Sequence, residues 1–374
     1  MIIITSNLLT NSFNPAYNDS IITFHSTLTG TTLAEISVVP SGNTFTVYPY
    51  NNEFRYNFKD LVKTMINPNG FADSIIPNLN GSLYIIDDNS LQLVFQPSIT
   101  TYTETSGDTV SLNYKFLKSA EQLIGYKRKI DNDNSVRILL PTVNNQDYNL
   151  TYHEGYPKDF AIAGINSGDT YYFKNTNSGA VTQTFTGTTN EVKRIYLSDG
   201  STNLTIVDEL SISSNINNIE LWVNGVFNSN IRVKKLESQC GVLLKWFNQN
   251  GGYSYWLFEK FYKESLKTKD LDDINGSWDN LQNVTFITNS LGKMANKALQ
   301  LSSSYDQQEK EYLLDLMKSP KVEMYIHNNP FNQFLEGDFI GVKVSDGSTS
   351  FENKSQKNKI KITVELPPEN TITY

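Results

Sequence analysis

Hydrophobic and polar positions alternate in short runs, separated by turn residues, over most of this chain. The runs at 21–24, 32–39 and 44–48 read as strands, with Pro40-Ser41-Gly42-Asn43 turning between the last two. Runs at 54–58, 82–87, 91–96 and 109–114 read the same way. One segment breaks the two-residue period: Leu61, Val62, Met65 and Ile66 share a face of a helix over 60–66, which Asn67-Pro68-Asn69-Gly70 ends. A second change of period, carried by Phe116, Leu117, Ala120, Leu123 and Ile124 with Gly125 behind them, predicts a helix over 116–124. The N-terminal pattern therefore predicts a small antiparallel sandwich with a helix across an open end.

From residue 136 onward the strand period returns without a helical signal. Runs at 136–140, 160–165, 170–174, 192–197, 204–210, 219–223 and 231–236 are separated by turn text such as Asn166-Ser167-Gly168-Asp169, and Asn224-Gly225 forms a hairpin tip. Seven short strands in succession predict a β-sandwich module. Two nearly unbroken apolar runs, 242–247 and 253–258, then flank Asn248-Gln249-Asn250-Gly251-Gly252 and predict a buried hairpin holding Trp246 and Trp256. Residues 260–277 are charged and read as an exposed excursion.

Ser303 or Ser304 is expected to cap a helix running to Met317, with Tyr305, Tyr312, Leu313, Leu316 and Met317 on one face and Ser319-Pro320 ending it. Strands follow at 322–327, 339–344 and 359–366, and residues 367–374 read as a frayed tail. The expected fold class is mainly β, made of β-sandwich modules with a few short helices. A chain of 374 residues exceeds one core, so a multidomain arrangement is expected. The polar run from Lys127 to Ser135 marks the first boundary. The domains are 1–130, a β-sandwich with short helices; 131–236, a central sandwich; and 237–374, an α+β domain with the hairpin and the late helix.

Composition supports the strand reading: 12% of residues are aromatic, and Thr, Ser, Asn and Ile are abundant. A net charge of -8 without a clustered basic patch argues against nucleic acid as a partner. A single cysteine excludes an internal disulfide. Cys240 is expected to be a small buried apolar residue. The first residues lack the basic leader of a secretory signal, and no window reaches the roughly 18 apolar residues of a membrane span. A soluble chain without membrane insertion is expected.

The candidates for chemistry are few. The three histidines, His25, His153 and His327, fall in different predicted units and lack a second metal ligand at useful spacing, so structural roles are expected for each. Cys240 has no nearby histidine to activate it. Asp270, Asp272 and Asp273 do not match a calcium loop, since Gly276 is misplaced and the closing glutamate is missing. Phosphate-loop, dinucleotide and nucleophile-elbow motifs are absent. No catalytic, cofactor-binding or metal residue is therefore assigned, and no cofactor is expected. Two aromatic groups could stack on a sugar if they faced outward: Tyr171, Tyr172 and Phe173, or Tyr253, Tyr255 and Trp256. Core packing is the favoured reading of both.

Two segments resemble large virion proteins of tailed bacteriophages, notably those infecting Bacteroidetes. They are Cys240-Gly-Val-Leu-Leu-Lys-Trp-Phe-Asn-Gln-Asn-Gly-Gly-Tyr-Ser-Tyr-Trp-Leu-Phe258 and Glu311-Tyr-Leu-Leu-Asp-Leu-Met-Lys-Ser-Pro-Lys-Val-Glu-Met-Tyr-Ile326. The resemblance implies a tail or baseplate component, similar in role to a distal tail protein. It would form a ring-shaped homo-oligomer, join the tail tube to neighbouring virion proteins, and reside in the virion after synthesis in the host cytoplasm. It carries over no functional residue. The alternatives are a carbohydrate-binding virion or surface module and, after that, a polysaccharide hydrolase acting through paired carboxylates.

Overall fold

The computed structural model describes residues 1–6, 8–10, 12–75, 84–121, 123–124, 127–128, 136–141, 147–200, 205–213, 215–237, 240–259, 261–275, 288–326, 339–350 and 358–372. Strands dominate, arranged in several sheets as β-sandwich modules with a few short helices, and the chain is multidomain. Residues 1–238 and 247–254 form one compact unit; residues 239–246 and 255–374 form the other.

In the first unit, Ile21–Ser26 lies between Ile2–Ser6 and Phe54–Asn57 in a three-stranded antiparallel sheet. A six-stranded sheet is built on Gln92–Tyr102, which pairs with Leu33–Val39, Gly107–Ser111 and Tyr114–Leu117. Alternation decides what each strand buries: Ile22 and Phe24 from one sheet, and Ala34, Ile36, Val38, Phe95 and Ile99 from the other, share one core. The helix Lys59–Ile66 adds Val62 and Ile66, as its spacing predicts. Aromatic contacts run through this core: Phe58 meets Phe95 edge-on at 5.0 Å, and Phe95 meets Phe116 at 5.7 Å. Such pairs add about 0.5–1.5 kcal/mol beyond their burial.

The same unit contains a four-stranded and a five-stranded sheet. The four-stranded one runs Arg137–Ile138, Pro157–Ala163, Val192–Asp199, Ile85–Asp87, and its two inner strands are buried almost throughout. The five-stranded one runs Asp147–His153, Val226–Leu236, Asn215–Val223, Thr170–Asn175, Phe185–Thr186. Its Asn224-Gly225 tip has both residues at positive φ, the backbone a two-residue hairpin requires.

Two elements differ from their expected form. Where a helix was expected over 116–124, the strand Tyr114–Leu117 is followed by bends and the strand Leu123–Ile124, paired with Lys127–Arg128. The backbone there is engaged elsewhere: the Ala120 amide donates to the Gln249 carbonyl, and the Asn18 side chain brackets the amide and carbonyl of Glu121. Where a strand was expected over 204–210, the chain forms the helix Thr205–Glu209. Ile206, Val207 and Leu210 are buried together, which is helical spacing, and the Leu210 amide donates to the Ile206 carbonyl. The polar run beyond Arg128, residues 129–135, lies outside the described residues.

A seven-stranded sheet, all but Phe247, Tyr253 and Ser254 of it in the second unit, has the order Tyr253–Phe258, Val242–Phe247, Val322–Tyr325, Phe339–Ser350, Asn358–Glu365, Lys293–Tyr305, Lys263–Asp270. The expected hairpin is present and buried on both strands. At its base Gly241 is obligatory, because a Cβ there would lie 2.3 Å from the Phe258 carbonyl oxygen. The late helix is Lys310–Leu316 and starts later than expected, because Ser303 and Ser304 belong to the strand Lys293–Tyr305. Asp306 and Glu309 close the turn that leads into it: Asp306 Oδ1 accepts from the Gln308 and Glu309 amides, and Glu309 Oε2 accepts from the Asp306 amide.

Tyr312 of this helix ties the hairpin down. Its hydroxyl accepts from the Tyr255 amide at 2.7 Å and donates to the Tyr255 carbonyl at 3.1 Å. Its ring meets Trp246 edge-on at 5.5 Å and lies 6.4 Å from Trp256, whose Nε1 donates to Ser303 Oγ. Replacing Tyr312 with Phe keeps the packing and deletes both hydrogen bonds to buried groups. Equilibrium urea unfolding of Tyr312→Phe is expected to show a loss of about 1–3 kcal/mol; an unchanged midpoint would remove this tie from the account.

Candidate functional site

Two features of the structure concentrate polar chemistry, one in each unit. In the first unit, Arg194 and Asp159 lie diagonally across the adjacent strands Val192–Asp199 and Pro157–Ala163, Arg194 opposite Ala161 and Asp159 opposite Tyr196. Arg194 Nε donates to Asp159 Oδ2 at 2.8 Å and Nη2 to Oδ1 at 3.0 Å, a two-point pairing. Its Nη1 donates to Asp73 at 2.7 Å, and Asp88 Oδ2 lies 3.7 Å away. The guanidinium also sits 4.4 Å from the Tyr253 ring centre and 5.1 Å from that of Tyr196. Burial alone would lower the Arg194 pKa, but Asp159 and Asp73 hold it above the ordinary range. Burial pushes the Tyr196 and Tyr253 hydroxyls well up, so both stay protonated. Lys118 is lowered by burial, with Asp88 and Asp73 opposing. These charges engage one another, so the cluster acts as a fastening between strands and loops.

In the second unit an open groove of about 580 Å³ lies against the sheet. Lys263, Gln300 and Thr363 form one cross-strand row along it, and Ser302 with Lys361 forms the next. Phe261 and Tyr262 line it from the segment before Lys263–Asp270, and Phe261 is 85% exposed. Ser302 Oγ donates to Glu259 Oε2 at 3.1 Å. Lys263 and Lys361 make no ion pair among the described residues. The groove thus combines apolar ring surface, hydroxyl and amide groups, and two available ammonium groups.

No family model matches the chain, and no curated protein matches it. Solved structures align with it only at low similarity, among them the following three. A protein of unknown function from Porphyromonas gingivalis W83 is 11% identical, over 63% of this chain and 98% of that one, with a TM-score of 0.17. The fibronectin(III)-like modules of Clostridium thermocellum CbhA are 6% identical over 64% and 95%, with a TM-score of 0.18. A bacterial ice-binding adhesin is 9% identical over 82% and 92%, with a TM-score of 0.19. At these scores none carries an argument about this chain.

The residues singled out from sequence are scattered. Tyr253, Tyr255 and Trp256 are all buried, as are Tyr171 and Phe173. Tyr172 alone of these is partly exposed, parallel to Trp222 at 6.1 Å, and Phe227 meets Trp222 edge-on. Cys240 is exposed and not buried, because the buried run begins only at Val242. Asp270 lies on an exposed strand and pairs with Lys293 at 3.1 Å. Among the described residues no group of three or more potential ligands could hold a metal, and no helix is long and apolar enough to cross a membrane. His25 is exposed, and His327 lies outside the described residues.

His153 is buried at the end of Asp147–His153, and its pKa is pushed down to about 3 by burial and then by the charges of Lys158 and Lys234. Lys158, fully enclosed, is itself lowered to about 7 by burial against the opposing pull of Asp159. A histidine neutral when folded and ordinary when unfolded binds its extra proton only on unfolding. Its contribution is therefore complete above the unfolded pKa of about 6.5 and is lost as pH falls toward about 3. Denaturant titrations between pH 7 and 4 are expected to show stability falling by up to about 1.4 kcal/mol per pH unit from this residue. In His153→Gln that part of the slope should vanish, and an unchanged slope would refute the assignment.

Proposed function

We propose that this chain is a structural subunit of a phage tail or baseplate, assembling in a ring with copies of itself and linking the tail tube to neighbouring virion proteins. It works without catalysis or cofactor. One observation carries the assembly part of this reading. The strand Lys263–Asp270, which ends the seven-stranded sheet, is exposed on both faces for nearly all its length and pairs with 293–300, a ribbon in which only the partner strand buries side chains, those of Ala295, Ala298 and Leu299.

An isolated two-stranded ribbon is marginal in water, and an end strand presents unpaired backbone groups. Here the C-terminal segment supports the partner strand: Leu366 donates to the Lys297 carbonyl, Glu369 bridges Ala295, and Lys297 pairs with Glu369 at 2.6 Å. The segment expected to fray is thereby tied down as far as Thr371, which donates to the Lys293 carbonyl. Leu266 on the end strand and Met294 on its partner both stay exposed. The two ribbon strands carry five lysines against two acidic residues, on a chain of net charge -8. A basic ribbon meeting an acidic surface of the next copy is a head-to-tail contact, which closes into a ring when the rotation allows. The tail or baseplate assignment rests on the resemblance at 240–258 and 311–326.

Native mass measurement and negative-stain microscopy of the full chain are expected to show a closed oligomer. Leu266→Asp with Met294→Asp should return it to monomers while shifting unfolding by no more than about 0.5 kcal/mol, as exposed sites allow. A wild-type chain that stays monomeric at high concentration and is missing from purified virions would refute the reading.

A further inference from the structure

The geometry points to the groove beside Phe261 as a binding site for an acidic glycan, an oligosaccharide with isolated carboxylates. This does not depend on the assembly reading. Phe261 offers a ring face that is almost wholly exposed, and Tyr262 lines the groove beside it. An exposed phenyl ring on a groove wall suits the apolar face of a pyranose, which presents C–H groups to a π surface while its hydroxyls point elsewhere. Gln300, Ser302 and Thr363 supply the donors and acceptors for those hydroxyls. Glu259 accepts from Ser302 and so orients that hydroxyl.

Charge selects among sugars. Lys263 is opposite Gln300 and Lys361 is opposite Ser302, so the two lysines sit diagonally across the strand Lys293–Tyr305. Strand spacing and residue rise place their backbones roughly 12 Å apart, the reach of a short oligosaccharide. With two separated ammonium groups and the Glu259 carboxylate nearby, the groove fits sparse negative charge and disfavours a dense polyanion. An acidic peptide fits less well. Over 298–300 the floor strand is paired on both edges, so its backbone has no ladder bonds left for an extended chain.

Isothermal titration of the full chain with tri- to hexagalacturonate tests this, with neutral maltohexaose and polyglutamate as comparison ligands. Binding to the oligouronate is expected, weakening as salt rises. Phe261→Ala should weaken it about fivefold to tenfold, and Lys361→Gln about threefold. Both sites are on the surface, and unchanged thermal unfolding will show that the variants fold. The proposal is overturned if the wild type does not bind oligouronate, if neither variant changes affinity, or if maltohexaose or polyglutamate binds equally well.

Discussion

The first unit depends on a guanidinium held in the protein interior. Arg194 pairs at two points with Asp159 and at a third with Asp73, and it is stacked on Tyr196 and Tyr253. Desolvating these ions costs several kcal/mol each, so the cluster adds little net stability over a well-packed apolar substitute. Its effect is on geometry. Asp159 and Arg194 sit on neighbouring strands, and Asp73 and Asp88 come from loops far away in sequence. A slip of one residue would leave a charge buried without its partner, which costs about 3–5 kcal/mol. The ion pair therefore penalises every alternative register of two strands that are otherwise uniformly buried and poorly specified by pattern.

That device could not be read from the chain. Arg194, Lys158, Asp159 and Lys118 look like surface residues in sequence, since charged side chains are rarely enclosed. Only topology brings their partners within reach. The spacing of apolar and turn residues was the dependable signal. Alternation gave the mainly β class, helical spacing the helix Lys59–Ile66, turn residues the Asn224-Gly225 tip, and unbroken apolar runs the hairpin around Trp246 and Trp256. It failed where apolar spacing suited two structures. Ile206, Val207 and Leu210 fit a strand by composition and a helix by spacing, and the helix won. At 116–124 the opposite occurred, because Asn18 and Gln249 supply hydrogen bonds that a local reading cannot foresee.

The groove was hidden for the same reason. Phe261 and Tyr262 were visible as aromatics at the head of a charged stretch, and that stretch read as a solvated loop. Gln300, Lys361 and Thr363 are common surface residues with nothing to distinguish them. They acquire meaning only when the pairings place Lys263, Gln300 and Thr363 in one row and Ser302 with Lys361 in the next. Cys240 shows the reverse error. Its apolar neighbours suggested burial, yet it precedes the strand they form and is exposed.

The ribbon and the groove share Lys263 and Gln300, and this links their physics. Holding the ribbon fixes the row that the groove uses, because both residues lie in the same strand pairing. An ordered ribbon would lower the entropy lost when a sugar settles on those side chains. Such a coupling would be reciprocal, a bound sugar favouring the ordered ribbon by the factor by which the ordered ribbon favours the sugar. In a ring, repeated copies of a weak groove would also act together, since a second contact on one polysaccharide is intramolecular. Weak single-site affinity for a glycan and tight retention by an assembled ring are then compatible properties of one chain.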